Sequence, residues 1–235
     1  MVEDARKGRL LARPVARVDA TAAALGFRPL GLAAARDGYL YVPAGYRSRP
    51  PAPLVVVLHG AGEDGRDGLA LLRSQADEAG LILLAPSSRE YTWDLVVGRY
   101  GPDVAAIDRA LEQTFSRYAV DPERVAIGGY SDGASYALSL GMANGDLFTH
   151  VLAFSPGFAA PPGRTGSPRV FVSHGTRDGW LPIERCSRRI VPQLERAGYE
   201  VRYREFEGGH VVPPEIGREA AGWFTAGQDP PGQSA

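Results

Sequence analysis

The stretch Ala126-Ile127-Gly128-Gly129-Tyr130-Ser131-Asp132-Gly133-Ala134 constrains the fold more than any other part of the 235 residues. The run from Arg124 to Gly128 reads as a strand. Ala134, Ala137, Leu138, Leu140 and Gly141 follow it at helical spacing. Gly129-Tyr130-Ser131-Asp132-Gly133 sits on the join, the G-x-S-x-G pattern of a serine carried on a sharp strand-to-helix turn. The middle residue of such a turn is strained, so the positions two before and two after it must be small. The turn lifts the Ser131 hydroxyl clear of the sheet and leaves it at a helix N-terminus, where unpaired N–H groups favour developing negative charge. The competing reading is an ordinary Gly-rich turn.

The flanking chain supplies a scaffold for that turn. Leu54-Val55-Val56-Val57-Leu58 is apolar at every position, as a strand covered on both faces must be. A helix is expected over Gly68 to Ala79, then a buried strand Leu81 to Ala85 stopped by Pro86. Strand, helix, strand in this rhythm predicts a parallel sheet with right-handed crossovers. Asp103 to Tyr118 has the spacing of an amphipathic helix. Further strands are expected at His150 to Phe154, Arg169 to Ser173 and Glu200 to Phe206, with helices at Ile183 to Ala197 and Pro214 to Thr225. Residues 8 to 14 and 38 to 43 read as short strands forming an antiparallel edge. The expectation is one domain over residues 1–227, with 228–235 a disordered tail. No inserted cap is evident, so the site should be open.

Composition narrows the chemistry. A formal net charge of −1 provides no electrostatic footprint for nucleic acid or anionic lipid. The N-terminus lacks the apolar core of a secretory signal, and no stretch approaches a membrane span, which predicts a cytoplasmic protein. The single cysteine, Cys186, excludes an intramolecular disulfide and a thiolate-rich metal site. It reads best as a small hydrophobe on a helix. No metal or cofactor is called for, and the chain is expected to be a monomer or homodimer.

A serine hydroxyl needs a base within hydrogen-bond reach and a third group to fix that base's tautomer. A serine on this kind of turn is followed along the chain by its acid and then its histidine. Asp178 lies beyond the strand ending near His174, and His210 beyond the next strand, after two glycines. His59 and His174 each sit at a strand end before a glycine, where loop bracing is the usual role, and His150 opens a strand. Glu207 is the alternative acid but lies too close to His210 in sequence. Asp178 could instead form an Asx-turn or cap a helix.

An oxyanion also needs backbone donors. The N–H of Asp132, after the serine, and that of Ala61, in His59-Gly60-Ala61-Gly62, are the candidates. The Asp132 side chain is expected to turn away, capping the helix or pairing with an arginine, because a carboxylate facing inward would oppose the oxyanion. Trp93 and Trp180, on loops at the sheet's rim, are candidate walls of a substrate pocket or, equally, packing residues.

Taken together, His59-Gly60-Ala61-Gly62, Trp93-Asp94, Gly129-Tyr130-Ser131-Asp132-Gly133, His174-Gly175-Thr176-Arg177-Asp178 and Gly209-His210 resemble the phospholipase/carboxylesterase branch of the α/β-hydrolase superfamily, over about residues 38 to 225. The chain differs from the pattern of that branch at Asp132, where glutamine is usual, and at Ala134. The resemblance implies a capless α/β-hydrolase fold and a serine esterase of the EC 3.1.1 type acting on short to medium acyl esters. Ser131, Asp178 and His210 would be its triad, and the Ala61 and Asp132 amides its oxyanion hole. The alternatives are a thioesterase or serine peptidase using the same triad, and a non-catalytic binding module on the same fold.

Overall fold

The computed structural model describes residues 2–15, 18 and 24–226. A short helix α1 (Val2–Arg6) precedes strands β1 (Gly26–Pro29), β2 (Tyr39–Val42) and β3 (Ala52–Leu58). Helices α2 (Gly65–Ala70) and α3 (Arg73–Ala79) lead to β4 (Ile82–Ala85), then α4 (Asp94–Val97) and α5 (Pro102–Arg117). Strand β5 (Val120–Tyr130) enters α6 (Asp132–Ala143), followed by β6 (His150–Phe154), β7 (Arg169–Gly175), α7 (Ser187–Arg196), β8 (Val201–Phe206) and α8 (Pro214–Thr225).

The eight strands form one sheet in the order β1-β2-β4-β3-β5-β6-β7-β8. β1 and β2 run antiparallel at one edge, and every pairing from β4 to β8 is parallel. The continuous apolar run in β3 has the cause expected of it. Leu54, Val56 and Leu58 join a core with α5, α6 and α7, whereas Val55 and Val57 join a second core with α2, α3 and α8. All five are wholly buried. Each such side chain contributes about 1.5–3 kcal/mol, so a polar residue anywhere in the run would be costly. This is the α/β-hydrolase fold, with the C-terminal ends of the parallel strands opening on one rim.

Three details differ from the sequence expectation. Residues 8–14 form no strand. Their backbone N–H groups are taken by side chains instead: Leu10 donates to Asn144 Oδ1, and Leu11 and Ala12 both donate to Asp108 Oδ1. The edge strand that pairs with β2 is β1. The helix expected over 68–79 starts earlier, at Gly65, where Asp64 forms a capping box with Asp67, and is broken at Leu71 and Leu72 into α2 and α3. The helix expected from Ile183 starts at Ser187, with buried Cys186 at its N-cap. The tail expected at 228–235 lies outside the described residues.

Candidate active site

Strand β5 delivers Ser131 into the turn with φ 57° and ψ −120°, a conformation that a non-glycine residue holds only when its surroundings enforce it. The two glycines show how. A Cβ on Gly129 would lie 2.6 Å from the Gly133 carbonyl carbon and 2.7 Å from Leu58 O, and one on Gly133 would strike the carbonyls of Leu58 and His59. Strand β3, the turn and α6 are therefore in backbone contact. Ser131 N–H donates to Phe154 O at 3.0 Å, tying the turn to β6.

The β7 and β8 loops bring in the other two residues. His210 Nε2 lies 2.9 Å from Ser131 Oγ, and His210 Nδ1 lies 2.6 Å from Asp178 Oδ2. Asp178 divides its oxygens. Oδ1 accepts the N–H groups of Trp180 (2.9 Å) and Leu181 (2.8 Å), an Asx-type turn, and Oδ2 faces the histidine. Asp178 thus forms the Asx-type turn and also stands against the His210 ring. Burial pushes its pKa upward, but the Leu181 N–H and the His210 ring outweigh this and hold the carboxyl below its ordinary value. An ionised Asp178 facing Nδ1 favours the Nδ1–H tautomer of His210, which turns the Nε2 lone pair toward Ser131 Oγ.

Nothing in the sequence singles out Tyr130, the second residue of the turn motif. Its hydroxyl donates to His210 O at 2.6 Å, and its ring lies 4.8 Å from the His210 ring, centroid to centroid. Burial and the nearby Glu63 and Asp178 carboxylates push the phenol up to about 12, so it stays a donor.

The loop after β3 forms the opposite wall. His59 is wholly buried, with Nδ1 2.6 Å from Gly60 O and Nε2 accepting from Ser88 N–H at 3.0 Å. Burial lowers its pKa, so the neutral ring acts as a brace. Glu63 Oε2 accepts the Gly60 N–H at 2.7 Å. Arg36 clamps the same loop from outside, donating to Glu63 O at 2.7 Å and to Ser88 O at 2.6 Å. No local signal in the sequence announces Glu63 or Arg36, since each acts through residues far from it in the chain or through the folded loop.

Ser131, His210, Ala61, Asp132 and Trp180 line one open pocket of about 370 Å³, together with Glu63. Trp180 is 84% exposed on its rim. Trp93 is a correction: it is fully buried beneath the site, its Nε1 donates to His59 O at 2.9 Å, and its ring packs against His59 and Tyr136. An indole with an inward hydrogen-bond partner gains more from burial than from the rim. Asp132 does turn to a partner, but to a hydroxyl rather than an arginine: Thr92 Oγ1 donates to its Oδ2 at 2.7 Å.

No protein-family model matches the chain. Among curated proteins, a poly(3-hydroxybutyrate) depolymerase of Ralstonia pickettii is 30% identical over 163 residues, which cover 59% of this chain and 32% of that protein. An acetylxylan esterase of Coprinopsis cinerea is 29% identical over 121 residues, 47% of this chain and 32% of that protein. The chain spans about a third of the length of these curated relatives. Of the solved structures, the crystal structure of esterase PE8 superimposes with a TM-score of 0.65 at 24% identity, covering 80% of this chain and 96% of that one. That likeness is one of fold. Among the described residues no helix is long and apolar enough to cross a membrane.

Proposed function

We propose that the chain is a serine carboxylic-ester hydrolase. The observation that carries the reading is the continuous line from Ser131 Oγ through His210 to Asp178 Oδ2, at 2.9 and 2.6 Å. His210 Nε2 takes the hydroxyl proton as Ser131 Oγ bonds to the ester carbonyl carbon. The Ala61 and Asp132 N–H groups receive the oxyanion. The C–O bond to the alcohol then breaks, and the alcohol leaves with the proton held on Nε2. Water repeats the cycle on the acyl-enzyme, releasing the acid and the free serine.

Two features beyond the triad support this reading. The strained serine sits at the start of α6, where the helix N-terminus favours negative charge. Two relatives that align by sequence are named a poly(3-hydroxybutyrate) depolymerase and an acetylxylan esterase. The alternative of a binding module without chemistry gains no support from a site in which all three groups are in hydrogen-bonding order.

Incubation with a fluorophosphonate followed by mass analysis of the Ser131 peptide tests the reading, alongside p-nitrophenyl acetate hydrolysis. Wild-type protein should label at Ser131, and Ser131→Ala should lose labelling and about 10⁴-fold or more of kcat. Equal labelling of Ser131→Ala would sink the proposal.

A further inference from the structure

A second groove of about 420 Å³ begins where the first pocket ends, and the two share Glu63, Tyr130 and His210. It runs away from Ser131 between the α2–α3 segment and the start of α8, past Asp67, Leu71, Ser74, Gln75 and Val212. Gln75 is the unusual member. It is 5% exposed, and its Oε1 is buried with no hydrogen-bond partner among the described residues. An unmade hydrogen bond of this kind costs the full desolvation of the group. Because the amide turns about its last bond, it can present an acceptor or a donor to a ligand in the groove.

The rest of the lining specifies the ligand further. Glu63 spends one oxygen on Gly60 N–H and Asp67 one on Asp64 N–H, which leaves each carboxylate a second acceptor. Among the described residues no arginine or lysine lines the groove. It therefore repels anions and favours groups that donate hydrogen bonds. Leu71, Val212 and the Tyr130 ring add apolar surface alongside.

Position assigns the groove to one half of the ester. The departing alcohol must receive its proton from His210 Nε2, so it leaves on the His210 side of the serine. The groove borders His210.

We propose that this groove is the subsite for the alcohol half of the substrate, and that it takes a neutral alcohol with several hydroxyl groups, a polyol or a sugar ring. Gln75 supplies the buried hydrogen-bonding group, Asp67 and Glu63 accept further hydroxyls, and the apolar wall packs against carbon–hydrogen faces. The assignment to the leaving alcohol rests on the triad reading above.

Hydrolysis and binding are tested together. Monoacetates of glycerol and of methyl β-xyloside are compared with ethyl acetate, which lacks the hydroxyls. Wild-type kcat/KM should favour at least one hydroxylated ester by about tenfold. Gln75→Leu and the exposed-site variant Ser74→Arg, each checked for an unchanged circular dichroism spectrum, should reduce that ratio to about twofold or less. A preference confined to the glycerol ester assigns the groove to open-chain polyols, and one confined to the xyloside ester assigns it to rings. Saturation-transfer NMR of glycerol and methyl β-xyloside on Ser131→Ala protein reads the groove without chemistry, and Gln75→Leu in that background should weaken the signal. If wild type shows neither preference nor signal, or if both variants retain both, the subsite is overturned. If Ser131→Ala binds the probes while wild type cleaves no ester, the triad reading fails and with it the assignment to the leaving alcohol, and the groove stands as a binding site for polyols or sugars alone.

Discussion

His174 Nε2 lies 3.2 Å from Asp178 Oδ2, the same oxygen that His210 Nδ1 approaches to 2.6 Å. Two imidazoles thus meet on one wholly buried carboxylate. His174 is itself held, with Nδ1 2.7 Å from Ser187 Oγ and Nε2 2.8 Å from Leu181 O. Burial lowers its pKa, so it serves as a neutral strut fixed to β7 and α7. It holds Asp178 in place, and through Asp178 the His210 ring.

His174→Phe removes that strut and leaves the Ser187 hydroxyl and the Leu181 carbonyl without their partner. Stability should fall by about 2–3 kcal/mol. Because Asp178 and His210 would be oriented less tightly, kcat on p-nitrophenyl acetate should drop about tenfold while KM changes by less than about twofold. Steady-state kinetics at a temperature where the variant is folded separates the two effects. A rise in KM alone would contradict the positioning role.

The turn around Ser131 makes a steric prediction. A methyl group on Gly133 would meet backbone carbonyls of Leu58 and His59, which cannot swing aside as a side chain would. Gly133→Ala should cost about 3 kcal/mol, a loss of roughly 6–12 °C in Tm for a chain of this size. Thermal unfolding by circular dichroism measures it, and an unchanged Tm would mean that β3 and α6 are not in the contact described.

The two tryptophans should separate cleanly. Trp180→Ala, on an exposed rim residue, should leave stability within about 0.5 kcal/mol of wild type and raise KM for p-nitrophenyl esters about fivefold. Trp93→Ala, in the floor beneath the site, should cost about 3–5 kcal/mol. Denaturant unfolding of both variants checks the contrast, and equal destabilisation would be inconsistent with their opposite exposures.

The sequence made the sheet and the three converging residues legible because both follow from local rules. The β3 run had to be buried on two faces, and serine, acid and histidine each fell on a loop after a strand. What escaped it depends on where distant side chains come to rest. Trp93 turned inward because Tyr136 and the His59 carbonyl were there to receive it. Residues 8–14 read as a short strand, yet Asn144 and Asp108 capture their amides from helices that enter the chain more than ninety residues later. Arg36 reaches Glu63 and Ser88 only once β1, β2 and the loop after β3 are assembled. Glu63 directly follows the His59-Gly60-Ala61-Gly62 loop, and its place in the pocket with His210 appears only in the fold.

His150, at the start of β6 and distant in function from the site, sets an acid limit on stability. It is 5% exposed, its ring stands edge-on to Trp223 and Phe224, and its Nε2 has no partner among the described residues. Burial first, then the nearby Arg169 charge, against an opposing pull from Glu200, lower its pKa from 6.5 to about 4. The native ring stays neutral in a range where the unfolded chain binds a proton, so unfolding takes up a proton there. The resulting stability is fully present above the unfolded value and is lost as pH falls toward the folded one. A tenfold difference in proton affinity between the folded and unfolded chains is worth about 1.4 kcal/mol, so the loss over that window is on the order of 3 kcal/mol. Urea unfolding of wild type and His150→Leu near neutral pH and at about pH 4.5 should show a smaller acid-induced loss in the variant. Parallel losses in the two proteins would show that the acid limit lies with other groups, because a leucine at this position cannot take up the proton that drives the wild-type decline.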